Sequence, residues 1–317
     1  MKSPRIAQLA MFAMAVFGGV ETALADSIYS FNTIDVPGAV ETLAFGINDS
    51  GQIVGYSNVG GGLFRGFLDT DGNITTINVP GAIHTFALAI NNSGQIVGRY
   101  IGSDGGLHGF LDTDGSLTTI DVPAAFRAFA TEAHGINDSG QIVGQYFTST
   151  ETPPHSFLYT DGSFTTIDFP SAPFTQAYGI NDSGEIVGAY SGIFGGSHGF
   201  LDTAGSFTTI DVPGAVETRG AFGINNSVQI VGQYISAGTH GFLDTDGSFT
   251  TIDVPGALLT NAHGINDSGQ IVGEYTDSHH GHGFLATPTV VPEPRTLPVL
   301  AGGLLSLCAM VRRRKRA

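Results

Sequence analysis

The chain carries ten histidines, and three of them stand close together near its C-terminal end. His279, His280 and His282 occur in the segment HHGH, and imidazole nitrogens are common ligands of zinc and other transition metals. The spacing matches none of the zinc signatures built from Cys and His pairs. We therefore expect no metal site, and these three histidines are the candidates if the chain does hold a metal.

Five histidines open the same short motif, HGFL or HSFL, at regular intervals, and Arg65 takes this place in the first copy. They are His108, His155, His198, His240 and His282. One histidine per repeat is too far from the next to share a metal ion, so the pattern predicts a structural hydrogen-bonding or stacking role. His134 and His263 stand at a position that is aromatic in other copies, which predicts that they pack like aromatic side chains.

Aspartates recur in segments such as LDTDGSLTTID (111–121). Asp112 and Asp114 precede Gly115 as in part of an EF-hand loop, but that loop needs another oxygen ligand where Phe110 stands. Asp-Gly between two strand-like runs is a strong signal for a hairpin turn. We expect turns here, and a calcium-stabilised scaffold is an alternative.

No segment carries the signature of a catalytic or cofactor site. The stretch 195–199 fits G-x-S-x-G, but a strand follows it where a nucleophile elbow needs a helix. There is no P-loop, dinucleotide fingerprint or zinc signature. We expect no catalytic residue and no cofactor. A secreted polysaccharide-acting enzyme, with a site built from loops such as 148–154, is the alternative.

The region between the two ends is a repeat. The motif GINDSGQIVG (46–55) returns in five further copies, and its asparagine occurs at Asn48, Asn91, Asn137, Asn181, Asn225 and Asn266. A period of 41 to 46 residues is typical of propeller blades. Each asparagine begins an N-x-S sequon, but its fixed place in every copy predicts a structural role in a tight turn. Val228 replaces the turn glycine in the fifth copy, which predicts a strained turn or one of another type.

Each repeat contains four strand candidates joined by Asn/Asp/Gly turns, and its last strand ends before a proline. The sixth repeat lacks its fourth strand, while YSFNTIDVPG (29–38) is a fourth strand with no others before it. The sequence therefore predicts an all-β fold, a six-bladed β-propeller of about 44-residue, four-stranded repeats. The N-terminal strand closes the last blade. An open β-solenoid is the alternative.

The two ends differ from the repeats in composition. Lys2 and Arg5 precede an apolar stretch, and Ala23 and Ala25 form a small-x-small cleavage site. We expect a signal peptide at 1–25, with an uncleaved helix as the alternative. The repeat domain then spans 26–288, and a separate tail spans 289–317.

The charge of the repeat region limits its partners. Residues 26–290 contain four basic and 26 acidic residues, a net charge of −22. Such a surface repels nucleic acid and anionic lipid, and leaves divalent cations, cationic surfaces and neutral glycans as partners. Cys308 in the tail is the single cysteine, so packing and strand pairing must stabilise this region.

The repeats resemble the extracellular HAF repeat family. That resemblance rests on the G-x-N-x-x-G-x-(V/I)-V-G core and on a following strand that reads HGFL, HSFL or RGFL here. The middle residue of this strand departs from the family's His-Ala-Phe pattern. The resemblance implies export and a repetitive β fold, without an established ligand or reaction.

The tail resembles a PEP-CTERM sorting signal. It combines Pro292-Glu293-Pro294, an apolar run at 297–311 and a basic end that includes Arg312, Arg313 and Arg314. The apolar run is shorter than the roughly 20 residues that usually span a bilayer. The resemblance implies an exosortase-type membrane protease as partner, in a Gram-negative bacterium that makes exopolysaccharide. We expect transient membrane association through a transmembrane-like segment, with a permanent anchor as the alternative.

These observations predict an exported surface or extracellular-matrix protein. It would leave through the inner membrane and stay at the cell surface or outside after tail processing. Its expected role is that of a non-enzymatic scaffold that contacts exopolysaccharide or envelope glycans.

Overall fold

The structure is a computed structural model that describes residues 29–289, except 127, 149–150 and 193–194. Residues 29–288 form one compact unit, which holds every strand described below. The predicted signal peptide lies outside the described residues, and so does the predicted sorting tail after Thr289. Within the described part of the chain no helix is long and apolar enough to cross a membrane.

Twenty-four strands follow one another with short connections. The first twelve are β1 (Tyr29–Ile34), β2 (Glu41–Ile47), β3 (Ile53–Asn58), β4 (Phe64–Thr70), β5 (Asn73–Ile77), β6 (His84–Ile90), β7 (Ile96–Ile101), β8 (Leu107–Thr113), β9 (Ser116–Ile120), β10 (Ala128–Ile136), β11 (Ile142–Thr148) and β12 (Glu151–Thr160). The others are β13 (Ser163–Ile167), β14 (Phe174–Ile180), β15 (Ile186–Ser191), β16 (Ser197–Thr203), β17 (Ser206–Ile210), β18 (Glu217–Ile224), β19 (Ile230–Ile235), β20 (Thr239–Thr245), β21 (Ser248–Ile252), β22 (Leu259–Ile265), β23 (Ile271–Thr276) and β24 (Gly281–Pro288). A short 3₁₀ helix, Ala124–Phe126, precedes β10.

The strands form a β-propeller arrangement, as the repeat predicts. Four separate antiparallel sheets of four strands each are β2–β5, β6–β9, β10–β13 and β14–β17. The predicted number of six blades is not met: four blades stand as separate sheets, and the remaining eight strands form one sheet. That sheet has two antiparallel halves, β18–β21 and β22–β24 with β1, joined by a single parallel pair between Thr239 and Leu259. Thr239 is the first residue of β20 and Leu259 is the first residue of β22, and this one pair joins the two halves into a single sheet.

The two ends of the repeat region pair with each other. β1 runs antiparallel to β24 in register from Tyr29–Pro288 to Ile34–Gly283. Phe31 packs edge-on against Phe284, with ring centroids 5.8 Å apart. The predicted closure of the last repeat by the N-terminal strand is therefore confirmed.

Small apolar clusters hold neighbouring repeats together. In one of them Val143 from one repeat contacts Ala177 and Phe200 from the next. The glycine of each QIVG motif makes room for the phenylalanine of the HGFL strand. A Cβ on Gly188 would stand 2.0 Å from the Gln176 carbonyl oxygen and 2.6 Å from the Phe200 ring, so only glycine fits there.

The turns match their sequence signals. Asp114 and Gly115 both have positive φ, 52° and 82°, as a two-residue type I′ hairpin turn requires. Val228 has a φ of 58° and keeps the hydrogen bond of the equivalent glycines, from its N–H to the Asn225 carbonyl. A β-branched residue is strained in this conformation, so the predicted strain at this turn is confirmed.

Candidate functional site at the channel mouth

The repeats give the domain two unlike faces. The lower face, as we define it, carries the turns that begin at the six motif asparagines, together with the Asp-Gly turns such as 71–72. The upper face carries the loops between the second and third strand of each repeat and the links between repeats, such as 59–63 and 78–83. Turns on the lower face are nearly identical, whereas the upper loops differ in length and sequence.

A ring of hydrogen bonds surrounds the axis of the domain at its lower end. Each motif asparagine is buried and donates from Nδ2 to the main-chain carbonyl oxygen of the next, over 3.0–3.3 Å. The bond from Asn266 to Asn48 completes the circle. This closure excludes the open solenoid and confirms that the asparagines are structural.

A second ring lies beside the first. The next residue of each motif donates its backbone N–H to the side-chain Oδ1 of its counterpart in the following repeat, over 2.8–2.9 Å. Asn92 and Asn226 each link two flanking aspartates through Nδ2. Two stacked rings therefore surround the axis at this end, and a second cavity of about 70 Å³ lies within them.

Above the rings, the innermost strands enclose a cavity of about 300 Å³. Its lower level is a circle of isoleucines, one per repeat, which also line the smaller cavity below and belong to the apolar clusters between repeats: Ile47, Ile90, Ile136, Ile180, Ile224 and Ile265. Above this level, a second circle consists of Phe45, Leu88, His134, Tyr178, Phe222 and His263. His263 stacks on Phe45 at 4.3 Å and on Phe222 at 5.4 Å, which confirms that it packs as an aromatic ring.

One side of the channel mouth holds a buried ion pair. Arg99 Nη1 donates to Glu132 Oε1 at 2.7 Å, and Gln145 Nε2 donates to the other carboxylate oxygen at 2.6 Å. His134 Nε2 lies 3.2 Å from that second oxygen. Burial by itself raises the pKa of Glu132, but the nearby His134, followed by Arg99 and the hydrogen bond from Gln145, outweighs it and lowers this pKa to about 2.

The hydrogen bonds continue around the wall of the channel. Gln176 donates to Gln145, and the Tyr178 hydroxyl donates to Gln176. Burial, and then the charge of Glu132, raise the pKa of the Tyr178 phenol, which therefore stays protonated. This side of the mouth is therefore joined by continuous hydrogen bonds, and its one arginine is paired with a carboxylate.

A second histidine–carboxylate pair belongs to the last repeat. Asn261 Nδ2 donates to Glu274 Oε1 at 2.7 Å, and His263 Nε2 lies 3.7 Å from the same oxygen. Burial would raise the pKa of Glu274, but His263 and Asn261 lower it. Burial and the Glu274 charge raise the pKa of Tyr56 to about 12. No arginine in the described residues pairs with Glu274.

Polar atoms without hydrogen-bond partners gather at this mouth. Six such buried side-chain atoms occur in the described residues, and four of them lie here: Arg99 Nε, His134 Nε2, Asn261 Oδ1 and His263 Nε2. The two imidazole nitrogens lie near carboxylates without an aligned hydrogen bond. Buried polar groups are seldom left unpaired, so this concentration marks a place for a polar ligand or for water.

The five repeated histidines lie outside the channel, where the sequence predicts a structural role. In each of them Nδ1 forms a hydrogen bond of 2.7–2.9 Å with an aspartate carboxylate. Each imidazole ring also stacks on a tyrosine ring, with centroids 5.1–5.4 Å apart. The predicted hydrogen-bonding and stacking role is confirmed. Arg65, at the same place in the first repeat, donates to the carbonyls of Phe64 and Ile83.

The histidines proposed as metal candidates do not form a ligand set. His282 pairs with Asp35, and His279 contacts Ser278 on an exposed loop. The rings of His279 and His280 are 6.4 Å apart. In the part of the chain described here, no group of three or more His, Cys, Asp or Glu side chains is arranged to hold a metal ion.

Sequence reasoning missed Arg99, Glu132 and Glu274 as site residues. The sequence did contain one sign of these residues: the repeats differ from one another at the positions that they occupy. The position of Glu132 is Leu, Phe, Gln, Gly or Asn elsewhere, and that of Arg99 is Tyr, Gln, Ala or Glu. The processing candidates Ala23, Ala25, Pro292, Glu293 and Pro294, and the basic end, lie outside the described residues.

Comparison with known proteins identifies the fold. No protein-family model matches the chain, and no curated protein matches it. The structure is similar to the SapL1 lectin in complex with alpha methyl fucoside, with a TM-score of 0.52 and 12% identity, over 81% of this chain and 98% of that one. A mutant of the Aleuria aurantia lectin in complex with Fucalpha1-6GlcNAc gives a TM-score of 0.51 and 14% identity, over 80% of this chain and 97% of that one. At these identities the likeness shows the β-propeller fold alone.

Proposed function

We propose that this protein is an exported, non-enzymatic module that binds a neutral saccharide at the channel mouth. The observation that carries the proposal is the joint occurrence of aromatic faces and unpaired polar atoms at the mouth of the axial cavity. Apolar and aromatic walls with a few convergent polar groups are typical of small-ligand sites. A sugar presents both C–H faces and hydroxyls, and so matches such a site.

The charges favour a neutral ligand. Glu132 neutralises Arg99 at 2.7 Å, so the mouth offers no unpaired arginine to a carboxylate or phosphate. The strongly acidic surface of the repeat region would also repel a polyanion. Both features support an uncharged glycan over an acidic one.

The two channel carboxylates support binding over catalysis. A glycosidase needs one carboxyl group with a raised pKa to act as general acid. The pKa values of Glu132 and Glu274 are both lowered, so both groups are ionised at neutral pH. A polysaccharide-acting enzyme is accordingly the second proposal.

The binding test combines a glycan array with mass spectrometry of the incubated glycans. The two lectins of similar fold were determined with fucosides, which makes fucosides the first probes. We expect at least one neutral glycan to bind and to keep its mass. The Asn261→Ala variant should bind that glycan at least fivefold more weakly. His279→Ala, on an exposed loop, is the control. Cleaved products would favour the enzyme, and an array without any bound neutral glycan would refute the proposal.

We further infer that the ring has six blades, with the eight-stranded sheet counted as two. In support, each half of that sheet contains four antiparallel strands, and six asparagines contribute to the axial ring.

Export and sorting complete the proposal. The likeness of the tail to a PEP-CTERM signal supports recognition by an exosortase-type protease and display at the surface of a Gram-negative cell. Fractionation of cells that express the natural chain or Pro292→Ala/Pro294→Ala tests this. We expect the variant to keep its tail and to collect in the membrane fraction. An unchanged mass and location would refute the sorting role.

A further inference from the structure

We propose that the saccharide bound at the channel mouth is the head group of a neutral glycolipid, and that the upper face rests on the lipid surface that displays it. This inference rests on the saccharide-binding function proposed above and names the class of ligand for the same site. Two features lead to it: a circle of exposed apolar side chains around the mouth, and the unequal charge of the two faces.

Every repeat places one apolar residue at the same point of the upper face. It belongs to the link between repeats and stands one or two positions before the innermost strand. In four repeats its backbone N–H donates to the carbonyl oxygen of the last residue of the second strand, over 2.7–2.8 Å. Because the repeats close into a ring, these residues form a circle around the mouth. We call them the apolar circle: Val40, Ile83, Phe126, Pro173, Val216 and Leu258.

The side chains of the apolar circle are exposed. Val216 is 79% exposed, Leu258 is 69% exposed and Val40 is 50% exposed. The described residues contain seven large apolar side chains that are exposed, and all seven lie on the upper face or, for Phe129, at the upper end of β10. Single exposed apolar residues are common on protein surfaces, so it is their confinement to one face that indicates a contact surface.

Charge distinguishes the two faces. The turns of the lower face carry an aspartate in most repeats. The arginines of the described residues, Arg65, Arg99 and Arg219, all lie in the upper halves of their strands, so the lower face has no basic residue there to balance its acids. An approach with the upper face leading keeps the acidic turns away from lipid phosphates.

The circular arrangement favours a lipid surface over a single apolar chain or a second copy of the protein. A groove would enclose one chain, whereas side chains spaced around a mouth meet a flat surface together, with a head group at their centre. Two copies joined through their upper faces would bring together two repeat regions of net charge −22 each, which repel each other. The pairing of Arg99 with Glu132 leaves no arginine at the mouth for a lipid phosphate, so the head group is a neutral sugar.

Vesicle titration tests the inference on the full chain. The probes are phosphatidylcholine vesicles with and without a dialkyl lipid whose head group is the neutral glycan selected by the array. We expect the glycolipid to increase binding about tenfold or more, because it adds the contacts of the mouth to those of the apolar circle. The C-terminal tail is present in both titrations and contributes equally to both.

A double variant locates the lipid contact. Val216→Ser/Leu258→Ser removes two exposed apolar side chains, and should weaken binding to the glycolipid vesicles at least about fivefold, since these side chains no longer leave water for lipid. Its affinity for the free glycan should stay within about twofold of that of the natural chain, which also shows that it folds. Ala204→Ser, in a lower-face turn, is the control and should change neither affinity.

The outcomes separate this inference from the saccharide proposal. If the double variant binds glycolipid vesicles as tightly as the natural chain, or if both kinds of vesicle bind the natural chain equally, the inference is overturned and the saccharide proposal stands. Self-association of the natural chain that the double variant abolishes would assign the apolar circle to a second copy, and would overturn it as well. An array without any bound neutral glycan would overturn both proposals.

Discussion

Replacement of Glu132 by glutamine tests the electrostatics of the channel mouth. The carboxylate is 3% exposed and receives hydrogen bonds from Arg99 and Gln145. Its pKa falls from 4.5 to about 2 in the folded protein. A lowered pKa stabilises the folded state above the unfolded-state value, and this contribution disappears as the pH falls through the folded-state value.

The shift sets the expected magnitude. The lowering of this pKa from 4.5 to about 2 corresponds to about 3 kcal/mol of unfolding free energy at pH 7, and to about half of that at pH 3. Glu132→Gln should therefore destabilise the protein by about 3 kcal/mol at pH 7, and by about half of that or less at pH 3. Loss of the charge also leaves the partly buried Arg99 without its counter-ion, and this lowers the stability of the folded protein further.

Urea denaturation at both pH values measures the effect. Glu185→Gln is the matched control, because the equivalent residue is Gln in the other five repeats and the side chain bonds the motif asparagine in the same way. We expect the control to change stability by less than about 0.5 kcal/mol. A loss below about 1 kcal/mol for Glu132→Gln at pH 7, or an equal loss at both pH values, would refute the ion-pair reasoning.

Three further predictions concern the fold, and thermal denaturation checks each. Asn266→Ala breaks the axial ring and should cost about 2–4 kcal/mol, because it removes two hydrogen-bonding roles of a buried side chain; an unchanged melting temperature would show that the ring is dispensable. Val228→Gly should stabilise by about 1 kcal/mol, because it relieves a positive φ, whereas the reciprocal Gly140→Val should destabilise; a loss of stability in the first variant would mean that the packing of the valine outweighs its strain. Gly188→Ala should cost more than about 3 kcal/mol, since its Cβ would overlap a carbonyl oxygen, while Gly192→Ala in the same repeat has open space; similar behaviour of the two variants would contradict the steric argument.

The strands and turns could be predicted from the sequence because their causes are local. Asp-Gly pairs place two residues at positive φ wherever they join strands, as at Asp114. The pairing of β1 with β24 was also predictable, since an unpaired strand at one end matched a missing strand at the other. The merged eight-stranded sheet was not predictable, because it depends on one backbone contact at Thr239.

The channel mouth could be predicted only in part. His134 and His263 were recognised as aromatic-like, but their carboxylate partners were not. Glu132 lies 33 residues from Arg99, in another repeat, and no local pattern connects the two. Comparison of the repeats shows that these positions vary, but it does not show that they face one axis.

By itself, the sequence determined the repeat, the four strands of each unit, the turns and the way the ends join. Those features follow from the conformational preferences of residues over a few positions and from a count of the strands in each repeat. Only the tertiary structure decided which side chains meet at the mouth and that the six asparagines form a hydrogen-bonded ring around the axis. The physical reason is that ring closure brings the innermost strands of distant repeats within a few ångströms of one another. The chemistry of the channel therefore depends on residues that are far apart along the chain.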